Sequence, residues 1–327
     1  MDLGEDSGFR AAGRAFMPHR HHGARRRRCC NDRPGMMRGM CTTHDSRPPI
    51  EPISGAAIDA RNVTLTGEDG KAFRAFLARP EQATGAGIVI LPDVRGLHPF
   101  FEELAMRFAE RGIEALAIDY FGRTAPNDDR GEDFEYMPHA RKARWDDLAG
   151  DIRTAVAHLR GLPNPPRSIF TTGFCMGGRL ASMSTTLGLG LAGAIPFYGW
   201  PTGANRNGTP APAEVAGKIE SDLLIFYGEK DEGLTKDVRD EFDTALDEAG
   251  VNHETIVYPG APHGFFDRHF DEFADDSTDA WNRTLAFIRR HTMGQPTAGS
   301  FAAEAERQRS SDPRVDIWSD QVRGDDD

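Results

Sequence analysis

From about residue 60 onward, short apolar runs alternate with segments whose apolar residues recur every three or four positions, and this alternation constrains the chain more than any other feature. A short apolar run reads as a strand. An amphipathic stretch between two such runs reads as the crossover helix that parallel strands require. The expected strands are 63–65, 73–77, 87–91, 114–118, 168–172, 192–197, 223–227 and 255–258. The expected helices are 101–111, 145–159, 178–187, 235–249 and 277–290; in the second, Trp145, Leu148, Ile152, Val156 and Leu159 form one apolar stripe. Between the first two strands, Gly67 and Gly70 suit a hairpin turn, because glycine accepts the positive φ such turns need. The pattern predicts an α/β domain over 56–293, a mostly parallel eight-stranded sheet with helices on both faces.

Charge is unevenly spread. The chain carries −12 overall, yet residues 1–50 hold ten arginines against five acidic residues, a balance of +5 that leaves −17 on the rest. Such an acidic body repels nucleic acid and anionic membrane surfaces, so no nucleic-acid partner is expected for it. No run approaches the roughly 18 apolar residues of a membrane-spanning helix, and the basic start is not followed by the apolar stretch of a secretory signal, which places the protein in the cytoplasm. Residues 1–55 mix Arg25–Arg28, a His-rich patch, prolines and glycines without hydrophobic period, and read as a disordered basic extension or as leader upstream of a start at Met36, Met37 or Met40. A zinc site from Cys29, Cys30, Cys41, His21, His22 and His44 is disfavoured, because the residues lack the usual ligand spacing. Residues 294–327 end in three aspartates and read as an acidic, solvated tail.

Cys175 is the only thiol of the body, which excludes a disulfide framework there. A lone cysteine is more often a buried small hydrophobe than a nucleophile, so its neighbours must decide. They are Gly173-Phe174-Cys175-Met176-Gly177-Gly178, set between an expected strand and an expected helix. This is the Gly-x-Ser-x-Gly strand-to-helix turn with Cys in place of Ser; Gly173 and Gly177 give the space for backbones to pass closely. The following helix aims its N-terminus at the sulfur, where partial positive charge favours thiolate, and Met176 N–H is expected to supply half of an oxyanion hole. Downstream, Gly228-Glu229-Lys230-Asp231 follows one strand and Pro259-Gly260-Ala261-Pro262-His263 follows the next. Singly, Asp231 reads as a helix cap and His263 as a surface residue. In the order nucleophile, acid, histidine, all beyond C-terminal strand ends, they read as a catalytic triad. Trp200, after the sixth strand, is expected to line the pocket.

With these residues in view, 60–290 resembles the dienelactone hydrolase (carboxymethylenebutenolidase) family of the α/β-hydrolase fold. The resemblance is carried by GFCMGG at 173–178, YGEKD at 227–231, GAPHGF at 260–265, and the loops LPDVRG at 91–96 and DYFGR at 119–123. It implies hydrolysis of a lactone or ester without metal or organic cofactor, with Val94 N–H joining Met176 N–H in the oxyanion hole. Well-known members carry Glu where this chain has Asp93, and that Glu takes part in activating the thiol; Asp is one methylene shorter. The family's carboxylate-binding arginines do not align cleanly, leaving Arg95, Arg123, Arg141 and Arg268 as candidates.

The expected mechanism has His263 Nε2 accepting the Cys175 proton, Asp231 holding the imidazole tautomer, and a thioester acyl-enzyme that water hydrolyses. A thiolate expels alkoxide more readily than amine, which ranks esters and lactones above peptides. Two other readings stay open: a general carboxylesterase or thioesterase of the same fold, and a non-catalytic binding protein in which Cys175 is inert.

Overall fold

The computed structural model describes residues 47–292 apart from 132, 206 and 270. The residues of the disfavoured zinc site, the arginine cluster and the acidic tail lie outside the described residues. Within 47–55, Ile50 is buried in the core and Ile53 N–H donates to Glu110 Oε2 at 3.0 Å.

Strand β1 (Ile58–Thr66) pairs antiparallel with β2 (Ala72–Pro80) across the expected hairpin, where Gly70 has φ +77° and Gly67 N–H donates to Lys71 O at 2.8 Å. There follow β3 (Ala86–Leu91), α1 (Pro99–Ala109), β4 (Ile113–Ile118), a short α2 (Tyr136–Ala140), α3 (Trp145–Arg160), β5 (Ser168–Phe174), α4 (Met176–Ser184) and β6 (Gly193–Phe197). A 3-10 segment, Pro212–Lys218, leads to β7 (Leu223–Gly228), α5 (Lys236–Ala249), β8 (His253–Tyr258) and α6 (Ala274–Thr292). The sheet order is β1-β2-β4-β3-β5-β6-β7-β8. It is mixed: β2 runs antiparallel to both its neighbours, and every other adjacent pair is parallel.

The central strands are apolar along their length because both faces are covered. Ile88 and Ile90 of β3 pack on one side with Phe101 and Phe108 of α1 and Phe287 of α6. Val89 and Leu91, one residue out of phase, pack on the other with Leu148, Ile152 and Val156 of α3 and Leu180 of α4. The period of two along the strand thus distributes its side chains between two cores. Each such fully buried aliphatic or aromatic side chain contributes roughly 1.5–3 kcal/mol relative to exposure.

The largest displacement from expectation is the start of β1, at Ile58 rather than 63, and α4 begins at Met176 rather than 178. Gly177 reads as turn in sequence and Gly178 as the first residue of the helix. In the fold they form the first turn of a helix pressed against neighbouring strands, where a side chain has no room. Among the described residues no helix is long and apolar enough to cross a membrane.

Candidate active site

The C-terminal ends of β3, β5, β7 and β8 carry the residues singled out in the sequence. Cys175 sits between β5 and α4 with φ +56° and ψ −111°, a backbone conformation that costs energy for any residue with a Cβ. Two backbone hydrogen bonds hold it there. Its N–H donates to Phe197 O at 3.0 Å, and its carbonyl accepts from Arg179 N–H at 3.2 Å. Below it Phe174 stacks on Phe197, with ring centroids 4.7 Å apart. A Cβ on Gly173 would lie 2.0 Å from Gly177 O, and one on Gly177 would lie 2.0 Å from Leu91 O, so the turn closes only with glycine at both positions. Cys175 itself is 4% exposed.

Asp231 follows β7 and is buried. Its Oδ1 accepts from the Gly233 and Leu234 amides at 3.0 and 3.2 Å, while Oδ2 lies 2.5 Å from His263 Nδ1. A carboxylate has only acceptors to offer, so Nδ1 carries the proton and Nε2 is left to face the thiol. Nε2 is buried without a hydrogen bond of good geometry, although the Cys175 sulfur is its close neighbour. The imidazole lies between two aromatic rings, Tyr198 at 5.0 Å and Trp200 at 4.7 Å between centroids. Burial alone would lower the His263 pKa. The charge of Cys175 and the hydrogen bond to Asp231 outweigh it, and the pKa is raised to about 10.

The loop after β3 brings Val94 to the same edge. The neighbouring amides are engaged: Arg95 N–H with Asp93 Oδ1 at 2.8 Å, Gly96 N–H with Asp93 O at 3.1 Å, and Leu97 N–H with Asp119 Oδ1 at 3.0 Å. Tyr120 donates its hydroxyl to Pro92 O at 2.9 Å, and Asp119 forms a buried ion pair with Arg130, Nη2 to Oδ2 at 2.8 Å. These bonds fix the loop. Met176, as the first residue of α4, has an N–H without an intrahelical acceptor.

Asp93 is fully buried, and Arg95 grips its Oδ2 through Nε at 3.0 Å and Nη2 at 2.8 Å. Arg268 Nη2 lies 3.6 Å from the same oxygen. Burial would raise the Asp93 pKa, but the charges of Arg95, His98 and Arg268 hold it well below the usual carboxylate range. Arg123 departs from expectation: its guanidinium bonds Asp69 at 2.7 Å and Asp151 at 2.5 Å, tying the β1–β2 turn to α3. Arg141 is exposed after α2. Trp200 stands against His263, its ring centroid 4.7 Å from the imidazole.

Sequence reasoning missed Tyr198 and Asp267. Tyr198 is a fully buried residue with φ +38°, and Asp267 is a buried carboxylate four residues after His263. Neither carries a motif, and the only signal was their closeness to the ends of β6 and β8. A cavity of about 530 Å³ opens elsewhere, lined by residues such as Asn62, Arg74, Glu102, Asp128 and Arg130, and none of Cys175, Asp231 and His263 borders it. Among the described residues no three His, Cys, Asp or Glu side chains are grouped as a metal ion would need.

The family model described as dienelactone hydrolase matches residues 73–292. The carboxymethylenebutenolidase of Rhodococcus opacus is 29% identical over 264 residues, covering 78% of this chain and 99% of that protein. Among solved structures, the "Putative Dienelactone Hydrolase" of Klebsiella pneumoniae subsp. pneumoniae MGH 78578 superposes with a TM-score of 0.64 at 25% identity, covering 71% of this chain and 98% of that one. A dienelactone hydrolase-like promiscuous phosphotriesterase from metagenomic libraries superposes at 0.60 with 20% identity, covering 72% and 98%, a likeness of fold alone.

Proposed function

The chain belongs to the dienelactone hydrolase family, and from that premise we propose that it hydrolyses an ester or lactone through Cys175, His263 and Asp231. The observation that carries the assignment is the pairing of His263 Nδ1 with Asp231 Oδ2 beside a cysteine held at positive φ on a helix N-terminus. A structural cysteine needs no such backbone strain, and a surface histidine needs no buried carboxylate.

In this reading the proton of the Cys175 thiol resides on His263 Nε2. Asp231 holds the ring and stabilises the imidazolium. The sulfur attacks the acyl carbon, and the developing oxyanion is received by Val94 N–H and Met176 N–H. Collapse expels the alkoxide, which takes its proton from His263. Water, activated by the neutral imidazole, then hydrolyses the thioester and returns the thiol. No metal or organic cofactor enters the scheme. Asp93, ionised and clamped by Arg95, acts as a counter-ion that sets the oxyanion loop rather than as a base for the thiol. Trp200 and Tyr198 wall two sides of the imidazole.

The test is hydrolysis of a neutral aryl ester and of a dienelactone by the wild type and by Cys175→Ala. Activity that is lost in the variant supports the assignment. An inactive wild type, or a fully active variant, refutes it. A preference for the neutral aryl ester would favour the reading as a general carboxylesterase.

A further inference from the structure

Arg179 is the fourth residue of α4, and its amide donates to Cys175 O at 3.2 Å. The residue is 3% exposed. A buried guanidinium ordinarily faces a carboxylate. Here all five of its N–H donors end on backbone carbonyls: Nε on Pro210 at 3.1 Å, Nη1 on Trp200 at 3.2 Å and Thr202 at 3.1 Å, and Nη2 on Gly203 at 2.8 Å and Thr209 at 2.9 Å. Burial lowers its pKa to about 10, so at neutral pH it keeps its charge and every donor.

The five carbonyls belong to one segment, 200–210, that follows β6. None of its described residues lies in a helix or strand, so these bonds decide its path. At the far end Asn207 closes it: the side-chain oxygen accepts from Thr209 N–H at 2.9 Å, and the carbonyl accepts from Trp145 N–H at 2.9 Å. The near end is Trp200. Its indole packs on His263 with ring centroids 4.7 Å apart, and a Cβ on Gly233 would meet its Cζ2 at 2.8 Å. Gly233 N–H in turn holds Asp231 Oδ1 at 3.0 Å. One indole therefore touches both the imidazole and the turn that aims the carboxylate.

We infer that Arg179 is a positioning residue of the proposed reaction: by clamping segment 200–210 it presses Trp200 onto His263 and the Asp231 turn, and so keeps the imidazole aligned with Cys175. Lysine carries the same charge, but its three donors sit on one atom and cannot serve five carbonyls. With the clamp loosened, the indole gains freedom and the imidazole loses a wall. The inference rests on Cys175, His263 and Asp231 acting as proposed.

The experiment measures aryl-ester hydrolysis by the wild type, Arg179→Lys, Trp200→Ala and the double variant. It also follows the His263 Nδ1 proton by NMR, which a short hydrogen bond to a carboxylate shifts far downfield. Each single variant is expected to lower kcat by about 10- to 10²-fold with KM changed by less than about threefold, and to broaden that resonance. The double variant is expected to lose no more than the worse single one, because both changes release the same contact. A folded Arg179→Lys or Trp200→Ala with kcat within about twofold of the wild type, or losses that multiply in the double variant, overturns the inference. Should Arg179→Lys fail to fold, Asn207→Ala, which frees the same segment and leaves the arginine in place, takes its position in the cycle and the same outcomes decide. If the wild type cleaves no ester, the hydrolase reading fails on its own. The resonance then judges Arg179: broadened in the variant it supports the clamp, and unchanged it overturns it.

Discussion

His263 Nδ1 lies 2.5 Å from Asp231 Oδ2, while the other oxygen of the same carboxylate holds the amides of Gly233 and Leu234. The backbone after β7 therefore aims the carboxylate, and the carboxylate aims the imidazole. A ring oriented this way exposes Nε2 toward Cys175 without spending conformational freedom when substrate arrives.

Asp231→Asn preserves the size of the side chain and an oxygen for the two amides, but presents an amide nitrogen to Nδ1 and favours the wrong tautomer. The expected result is a fall of about 10²–10⁴-fold in kcat with little change in KM. Steady-state kinetics on an aryl ester, with circular dichroism to verify folding, checks this.

His263 is raised to about 10 from 6.5. A histidine whose folded pKa lies above its unfolded value stabilises the fold fully below the unfolded pKa, and loses that contribution as pH rises through the folded one. Stability from this group is thus expected in full below 6.5 and to decline toward pH 10. Cys175→Ala removes the largest raising influence, so the His263 pKa should drop and the decline should flatten. NMR titration of His263, with urea unfolding across the same pH range, reads both.

Gly177→Ala places a Cβ 2.0 Å from Leu91 O and 2.4 Å from Pro92 O, both backbone atoms that cannot turn aside. The clash displaces α4 from the end of β3 and is expected to cost about 3 kcal/mol or more. Thermal unfolding measures it. A variant as stable as wild type would mean that the contact between Gly177 and the end of β3 does not constrain the turn.

Arg123→Gln leaves Asp151, whose side chain is fully buried, without its cationic partner. Loss of one member of a buried pair is expected to destabilise the protein by roughly 3 kcal/mol, somewhat reduced by the partial exposure of the Arg123 end. Ester turnover at a temperature where the variant is folded should stay within about twofold of wild type, since that bond network braces α3 rather than the thiol. A rise in KM specific to anionic esters would instead restore Arg123 to the substrate site.

The central strands were legible because a buried strand is a local pattern: the alternation of Ile88, Val89, Ile90 and Leu91 between two cores is written in consecutive residues, whereas β1, exposed along most of its length, was expected only over 63–65. The cysteine turn was legible for the same reason. Gly173 and Gly177 mark where backbones must pass, and the positions of Asp231 and His263 beyond successive strand ends follow from chain order. Helix α4 was expected from Gly178 and begins at Met176, because Gly177 enters a helix only where neighbouring backbone leaves no room for a side chain.

What only the tertiary structure decided is the charge balance around the sulfur. Sequence offered four arginines without ranking them. In the fold Arg123 goes to Asp69 and Asp151, Arg95 closes on Asp93, and Arg268 lies between Asp93 and Asp267. Tyr198, at positive φ between the sheet and His263, acquired its position by packing as well. Periodicity and turn chemistry depend on neighbours in the chain and can be read along it. Ion pairing and desolvation also join groups as distant as Arg123 and Asp69 or Arg268 and Asp93, and their sign is set only once burial has brought those groups together.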